Sequence, residues 1–570
     1  MPNLALPSLA GALSAHGVEV NQIDLNAVCF DSLLSSRNLR TVVRQAGKQK
    51  SRIAHQDLPP DVQQEKRQLY TWAEEQGPQI AAQIDRAKNI VRSKQFYDPA
   101  IGLDAFMQVT EGLRLASTLY YPSELQLLGY RSAYPIDASQ AIRVAVRDRH
   151  TNLFRTLFQI TVIPRIRRER PELVGISLTS ADQVIAGFTL AALIKEAGLS
   201  THVVLGGKMI TCWRDQLAQA EALWELVDSA VVSDGENALL ALVEALDRGK
   251  SLSSVPNLIY REGKKVHINE VSPPQPVDDL PIPSFDGLPL DTYLAPQRVL
   301  PVWAARGCYW GRCAFCNVGY GDSKHFREQC VDRVAEQMRV LADRYDTRHF
   351  FFADEALSPR MLKALSKRLI VLGADLNWTC CARFEPGLNC DILMLMRRAG
   401  CRMVLYGLES GSQAVLDGMH KGTKPETAAR ILRDGAAAGI WNHIFFFFGF
   451  PGETQANAQE TIDFFWSNRQ HVHSVCTGTF LLERDSLVAA NPSEYGVTRL
   501  IPPGQHRDLA YYYDYETVSG IGARRASEIE EAFIASLPDK PAPHLYAHDI
   551  YRFLHASQFS ATDTLPTMAD

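Results

Sequence analysis

Short apolar runs and longer amphipathic stretches alternate regularly between residues 298 and 485. The apolar runs have the length of strands, and the amphipathic stretches repeat their apolar residues at helical spacing, as Val334, Met338 and Leu341 do. Strands are predicted at 299–304, 349–353, 376–382, 403–406, 444–448 and 474–480, and helices at 331–345, from 358, 391–399, 425–438 and 456–466. Six such units predict a parallel sheet curled into a partial, TIM-like (β/α)6 barrel, with its chemistry at the carboxyl ends of the strands.

A second α/β pattern precedes the barrel series. Residues 173–179 have the pattern of a buried parallel strand, a helix is predicted at 182–197, and the next strand, 201–205, ends in Gly206-Gly207. Residues 230–236 predict a further strand and turn. This pattern predicts a doubly wound, Rossmann-like sheet. A helix at 4–16 and a strand at 18–25 are expected to join the same sheet.

These patterns divide the chain into four predicted domains and one linker. Residues 1–31 and 160–270 are predicted to form the Rossmann-like domain, interrupted by a polar, helical insertion at 32–159. The proline-rich stretch 271–294 is predicted to link it to the barrel at 295–485. Residues 486–570 follow a looser pattern, which predicts a C-terminal cap that contacts substrate.

Composition narrows the functional classes. The chain has 570 residues, 46% hydrophobic and 22% charged, and a formal net charge of −5. Because no long basic run exists, we expect neither nucleic acid nor an anionic membrane as a partner. No apolar run is long enough to span a bilayer and no signal-peptide pattern is present, so a cytoplasmic, reducing location is expected.

Three of the 11 cysteines, Cys308, Cys313 and Cys316, lie close together directly after the first predicted barrel strand. In a reducing compartment, clustered cysteines bind metal or carry out chemistry. Three thiolates can hold three irons of a [4Fe–4S] cluster and leave the fourth iron open to a ligand. A structural zinc site completed by His325 is an alternative, although such sites normally have four paired ligands. A disulfide is the least favoured alternative.

The layout resembles the cobalamin-binding branch of the radical S-adenosylmethionine (SAM) superfamily. The resemblance is close over residues 160–485 and partial over 1–30. It implies that the three cysteines hold a [4Fe–4S] cluster, that SAM chelates the open iron, and that Phe315 packs beside the cofactor. Four residues separate Cys308 from Cys313, where the usual pattern has three. The extra residue lies in a Trp-Gly stretch typical of a subgroup that includes enzymes modifying ribosomally made peptides.

The resemblance also implies a SAM-binding set at the ends of the predicted barrel strands. Asp354 and Glu355 are placed near the SAM amine, and an acidic group suits an ammonium. Helix capping is the structural alternative for this pair. Arg383 is placed to pair with the SAM carboxylate, or else to form an ordinary salt bridge. Glu409 and Ser410, in Gly407-Leu408-Glu409-Ser410-Gly411-Ser412, are placed at the ribose.

A cobalamin-binding set is implied for the Rossmann-like domain. Hydroxyl groups and bare backbone at strand ends suit a nucleotide tail in the crevice of such a sheet. The implied residues are Ser177, Thr179, Gly206, Gly207, Gly235 and Glu236. The lower-ligand histidine motif of related domains is absent, because Asp148-Arg149-His150 copies only its start. The first strand of the usual sheet is also expected to be missing or rearranged.

The implied activity is a cobalamin-dependent radical methyl transfer. A 5′-deoxyadenosyl radical from SAM would abstract hydrogen from an unactivated carbon of a peptide or other natural-product precursor, and methylcobalamin would supply the methyl group. An external flavodoxin- or ferredoxin-like protein is the expected electron donor. The alternatives are a radical cyclisation or rearrangement without methyl transfer, a methylthiotransferase, and a non-catalytic cobalamin or iron–sulfur sensor. A methylthiotransferase requires a second three-cysteine cluster, which Cys29 and Cys212 cannot provide.

Overall fold

The computed structural model describes residues 1–55, 58–318, 325–501, 504, 506–560 and 563–570. Its first part is helical, as predicted, and the three longest helices of the insertion pack against one another to form its core. The helices are α1 Ala5–Ala15, α2 Leu25–Leu33, α3 Ser36–Arg52, α4 Pro60–Val91, α5 Pro99–Ser117, α6 Ser139–Ala145, α7 Leu153–Thr161 and α8 Ile163–Glu169. A small antiparallel hairpin, β1 Glu124–Gln126 and β2 Gly129–Arg131, was not predicted.

The second part is a five-stranded sheet in chain order. Its elements are β3 Leu173–Ser177, α9 Val184–Glu196, β4 His202–Gly206, α10 Lys208–Cys212, α11 Arg214–Leu217, β5 Ser229–Val231, α12 Glu236–Asp247, β6 Leu258–Glu262 and β7 Lys265–Ile268. Strands β3, β4 and β5 are parallel, and the unpredicted β6–β7 hairpin adds two antiparallel strands. Helix α9 packs on one face of the sheet, whereas α1 and α12 pack on the other. The α/β layering is as predicted.

Two predictions about this sheet are wrong. Residues 18–24 form no strand, because side-chain bonds fix them elsewhere: Gln22 Nε2 donates to the carbonyls of Ser284 and Asp286, each at 2.7 Å, and Asp24 caps α2. The strand β3 was expected to be buried, but it is an edge strand that remains half-exposed. Among the described residues it pairs only with β4, and its other edge faces a cavity.

The third part is a six-stranded parallel sheet ordered β15-β14-β13-β12-β11-β8, the partial barrel that the sequence predicts. Its elements are β8 Val299–Val302, β9 Ala305–Arg306, β10 Arg327–Glu328, α13 Val331–Tyr345, β11 His349–Phe352, α14 Pro359–Val371, β12 Asn377–Arg383, α15 Cys390–Arg398, β13 Cys401–Glu409, α16 Gln413–Gly418, α17 Pro425–Ala437, β14 Trp441–Phe448, α18 Gln455–Asn468 and β15 Ser474–Thr479. Helix α14 begins where Ser358 accepts a bond from the amide of Met361, with Pro359 at its first position.

The C-terminal part covers both ends of the barrel. Its elements are β16 Leu482–Glu483, α19 Leu487–Ala490, β17 Val497–Ile501, β18 Tyr512–Thr517, α20 Gly522–Ser536 and α21 Asp549–Ala556. Strands β16, β18 and β17 form an antiparallel sheet. Helix α21 packs Phe553 and Leu554 against Met403, Leu405 and Trp441 at the amino ends of the barrel strands. In the described residues, no helix is long and apolar enough to cross a membrane.

Candidate functional site

One cavity of about 2920 Å³ lies between the Rossmann-like sheet and the carboxyl ends of the barrel strands. It reaches Gly307 and Asn317, at the two ends of the cysteine loop. The predicted site residues in its wall are Ser177, Thr179, Gly206, Gly207, Gly235, Glu236, Asp354 and Glu355. Ligand pockets usually measure about 300–1,000 Å³, so this cavity has room for more than one ligand.

The cysteine loop follows β9. Burial raises the pKa of Cys313, and it raises that of Cys316 to about 12. The Val318 amide donates to Cys316 Sγ at 3.4 Å, and Arg383 Nη1 lies 3.8 Å from Cys313 Sγ. Amide and guanidinium donors stabilise thiolates, so this environment fits a bound [4Fe–4S] cluster.

The zinc alternative requires its donors at about 2.0–2.3 Å from one point, whereas a cubane cluster takes each thiolate on a separate iron. In the part of the chain that the structure describes, no three or more His, Cys, Asp or Glu side chains are already gathered to hold a metal ion.

The extra residue between Cys308 and Cys313 is accommodated by docking Trp310 on the loop after α16. The Trp310 Nε1 donates to the His420 carbonyl at 2.9 Å, and the guanidinium of Arg383 lies 4.3 Å from the ring centroid. Gly422 packs under the same ring with φ of +68°, and a Cβ there would lie 2.4 Å from a ring carbon. The longer spacing between Cys308 and Cys313 is therefore accommodated in a turn that Trp310 holds in place.

Asp354 and Glu355 have different environments. Asp354 is 5% exposed, and its carboxylate accepts bonds from the amides of Ala304, at 3.0 Å, and Ala305, at 2.5 Å. It therefore ties down the backbone that leads into the cysteine loop, and its place near the SAM amine stays a prediction. Burial raises its pKa to about 7. Glu355 is exposed in the cavity wall, and its place near the SAM amine stays a prediction.

Arg383 and Phe315 both pack against the cysteine loop and its neighbours, outside the cavity wall. Arg383 is 4% exposed, donates from Nε to Glu385 Oε1 at 3.1 Å and from Nη2 to the Lys421 carbonyl. Its role at the SAM carboxylate stays a prediction. Phe315 packs edge-on against Phe447, with ring centroids 5.3 Å apart.

Glu409 and Ser410 face opposite ways at the end of β13. Glu409 has φ of +65°, and its Oε1 accepts a bond from Lys421 Nζ at 2.7 Å. Ser410 is fully buried and bonds Thr461 on α18 at 2.9 Å. The Ser410 side chain thus joins the end of β13 to α18, and its place at the ribose stays a prediction.

The predicted cobalamin residues also differ in what they contact. Ser177, Gly206 and Gly207 present a strand end and bare backbone, and Gly207 is required because a Cβ there would lie 2.5 Å from the Leu178 carbonyl oxygen. Thr179 donates to Gln183 Oε1 at 3.0 Å. The Glu236 carboxylate instead forms an ion pair with Arg306, next to the cysteine loop. Its side chain therefore joins the two domains.

A sequence model described as "Radical SAM superfamily" matches residues 304–465, which span the cysteine loop and most of the barrel. These residues form a radical SAM domain. The predicted radical SAM superfamily is thereby confirmed for these residues, and such a domain implies a [4Fe–4S] cluster and SAM.

Similarity extends beyond the radical SAM domain. The "Uncharacterized methyltransferase PH0819" of Pyrococcus horikoshii is 32% identical over 308 residues, 52% of this chain and 65% of that protein, so the chain spans less than two thirds of this relative. The cobalamin-dependent SAM radical enzyme OxsB, solved with aqua-cobalamin and SAM, aligns with a TM-score of 0.53, 18% identity, and 65% and 59% coverage of the two chains. The methyltransferase TsrM from Kitasatospora setae aligns with a TM-score of 0.52, 15% identity, and 72% and 89% coverage. These structures confirm the predicted fold class.

Two functional contacts were not predicted. Lys421 is buried against Glu409, and Arg306 joins the cysteine loop to Asp234 and Glu236. Arg306 lies beside the cysteine motif, but its partners Asp234 and Glu236 are 72 and 70 residues away, so no local pattern could have revealed that pairing. Lys421 follows Glu409 by 12 residues, across a helix and a loop.

Proposed function

We propose that this protein is a cobalamin-dependent radical SAM enzyme that transfers a methyl group to an unactivated carbon of a peptide or other natural-product precursor. The observation that carries the proposal is the single cavity shared by the ends of the cysteine loop and by the strand-end glycines Gly206 and Gly207. The names of the relatives PH0819 and TsrM support methyl transfer.

In this proposal, Cys308, Cys313 and Cys316 hold the cluster. When bound, the cluster supplies the electron that cleaves SAM, and cobalamin carries the methyl group. Glu355 would accept hydrogen bonds from the SAM ammonium, and Glu409 would accept hydrogen bonds from the ribose hydroxyls. The chain's own contribution is to hold SAM, cobalamin and substrate in one volume so that the reacting atoms meet.

The Rossmann-like domain would hold cobalamin through backbone and hydroxyl groups. Ser177 ends β3, Thr179 follows two residues later, and Gly207 lets the backbone approach the ligand closely. An external flavodoxin- or ferredoxin-like protein would reduce the cluster. The preference for a peptide or other natural-product substrate rests on the resemblance of the Trp310-Gly311 stretch to one subgroup.

The test is anaerobic reconstitution with iron, sulfide and hydroxocobalamin, followed by reaction with SAM and a chemical reductant. Release of 5′-deoxyadenosine with wild-type protein and its loss in Cys313→Ala support the cluster assignment. Cys330→Ala is the matched control, because Cys330 is exposed and lies outside the loop. No SAM cleavage by the reconstituted wild-type protein would refute the enzyme proposal. A substrate-derived product that has gained no methylene would instead favour cyclisation or rearrangement.

A further inference from the structure

Lys421 is a buried lysine at the carboxyl end of the barrel. Its residue is 5% exposed, and its Nζ lies 2.7 Å from Glu409 Oε1. A buried ammonium is costly unless it is paired and hydrogen-bonded, so this contact determines where the Lys421 side chain points.

Glu409 is held in an unusual backbone conformation at the same place. Its φ of +65° is uncommon for a residue with a side chain, and the pairing of β13 with β14 shifts register between Gly407 and Glu409. Such strain persists where the surroundings over-determine it, often at a ligand site. Gly407 leaves room for the pair, since a Cβ there would lie 2.4 Å from Glu409 Oε1 and 2.9 Å from Lys421 Nζ.

The backbone around Lys421 is joined directly to the cysteine loop. Three successive carbonyls accept bonds: Met419 from the amide of Ala314 at 2.8 Å, His420 from Trp310 Nε1 at 2.9 Å, and Lys421 from Arg383 Nη2. The Lys421 amide itself donates to the Leu416 carbonyl at 3.0 Å. The backbone at Lys421 is therefore fixed to the cysteine loop, and its side chain is fixed to Glu409.

We propose that Lys421 is a positioning residue of the SAM site: it fixes one oxygen of the Glu409 carboxylate so that the other faces the SAM ribose, and its charge offsets that of the cluster. This inference rests on the proposed function. Among the described residues, Glu409 Oε2 has no hydrogen-bond partner, and the side chain is 14% exposed. Three thiolates make the cluster anionic, and a fixed nearby cation favours its reduced form.

Arg383 is the other cation beside the cysteine loop, and its Nη1 lies 3.8 Å from Cys313 Sγ. Arg383 has three other contacts, with Glu385, Trp310 and the Lys421 carbonyl. Lys421 is thus the cation whose side-chain charge can be removed with least damage to the loop.

The experiment compares Lys421→Met and Lys421→Arg in the reconstituted protein. Equilibrium binding of SAM and an EPR-monitored redox titration of the cluster are the measurements. We expect Lys421→Met to weaken SAM binding about tenfold and to move the midpoint potential to a more negative value, while Lys421→Arg restores most of both. Lys424→Met, an exposed lysine three residues on, is the matched control and should change neither.

A double variant separates positioning from general structure. If Lys421 acts through Glu409, then Glu409→Gln/Lys421→Met binds SAM no more weakly than Glu409→Gln alone. Additive losses, or a Lys421→Met variant that matches Lys424→Met, would overturn the inference. If Lys421→Met does not fold, the double variant, which leaves no unpaired buried charge, is compared with Glu409→Gln instead. Failure of the wild-type protein to bind SAM would refute the proposed function itself.

Discussion

Replacing Arg306 with methionine should destabilise the contact between the two α/β domains. Arg306 Nη1 lies 3.0 Å from Asp234 Oδ1 and 3.1 Å from Glu236 Oε2, and Arg327 Nη1 lies 2.8 Å from Asp234 Oδ2. The Glu236 side chain is only 7% exposed. Without Arg306, this carboxylate would remain buried next to the cysteine loop and lack its main partner.

The size of the destabilisation follows from the burial of the ion pair. Removing one partner of a buried ion pair costs about 3–5 kcal/mol, because the other charge is left uncompensated. The Arg306 side chain is 22% exposed, so the lower end, about 3 kcal/mol, applies. The double variant Arg306→Met/Glu236→Leu removes both charges and should recover most of the loss, since an apolar pair of similar volume is often neutral.

Urea unfolding of the apoprotein measures these free energies, and a double-mutant cycle isolates the coupling between Arg306 and Glu236. Arg339→Met is the matched control: its partners Glu336 and Asp343 lie on the same exposed helix face, so little change in the free energy of unfolding is expected. Additive effects of the two single variants, or an Arg306→Met variant no less stable than Arg339→Met, would refute the interpretation of Glu236 as a domain-joining residue.

Three further predictions concern the loop and the buried titratable groups. Gly422→Ala should lower both the melting temperature and the iron bound per protein after reconstitution. The reason is that φ at Gly422 is +68° and the new Cβ would lie 2.4 Å from the Trp310 ring. An unchanged iron content would contradict this prediction. Burial raises the pKa of Asp354 from 3.8 to about 7, so the folded state favours the protonated carboxyl. The free energy of unfolding should therefore fall by about 1.4 kcal/mol per pH unit as the pH rises across that window. Urea unfolding of Asp354→Asn should show a flatter pH profile. Burial lowers the pKa of His473 from 6.5 to about 3, so stability should fall as pH falls below 6.5; His473→Asn should reduce that acid sensitivity, and an unaltered slope would count against it.

Local signals predicted the barrel well. Period-2 and period-3.6 patterns, the Ser358-Pro359 start of α14 and the glycines after helices are short-range features, and the structure places all six barrel strands close to where they were expected. The β6–β7 hairpin and the edge position of β3 were missed, since apolar runs do not specify their neighbours. The segment 18–24 has a strand-like pattern, but side-chain bonds from Gln22 and Asp24 fix it elsewhere.

The amino-acid sequence alone was enough to indicate the class of chemistry. The three cysteines, the strand-end acidic pair and the paired glycines are local motifs that can be recognised without knowledge of the fold. The chain's tertiary packing decided which of these groups remain available to a ligand. It directs Asp354 to backbone amides, Ser410 to α18 and Glu236 to Arg306, and it leaves Glu355 exposed in the cavity. The reason is physical: a buried polar group must find a partner, and that partner is set by the contacts of distant segments.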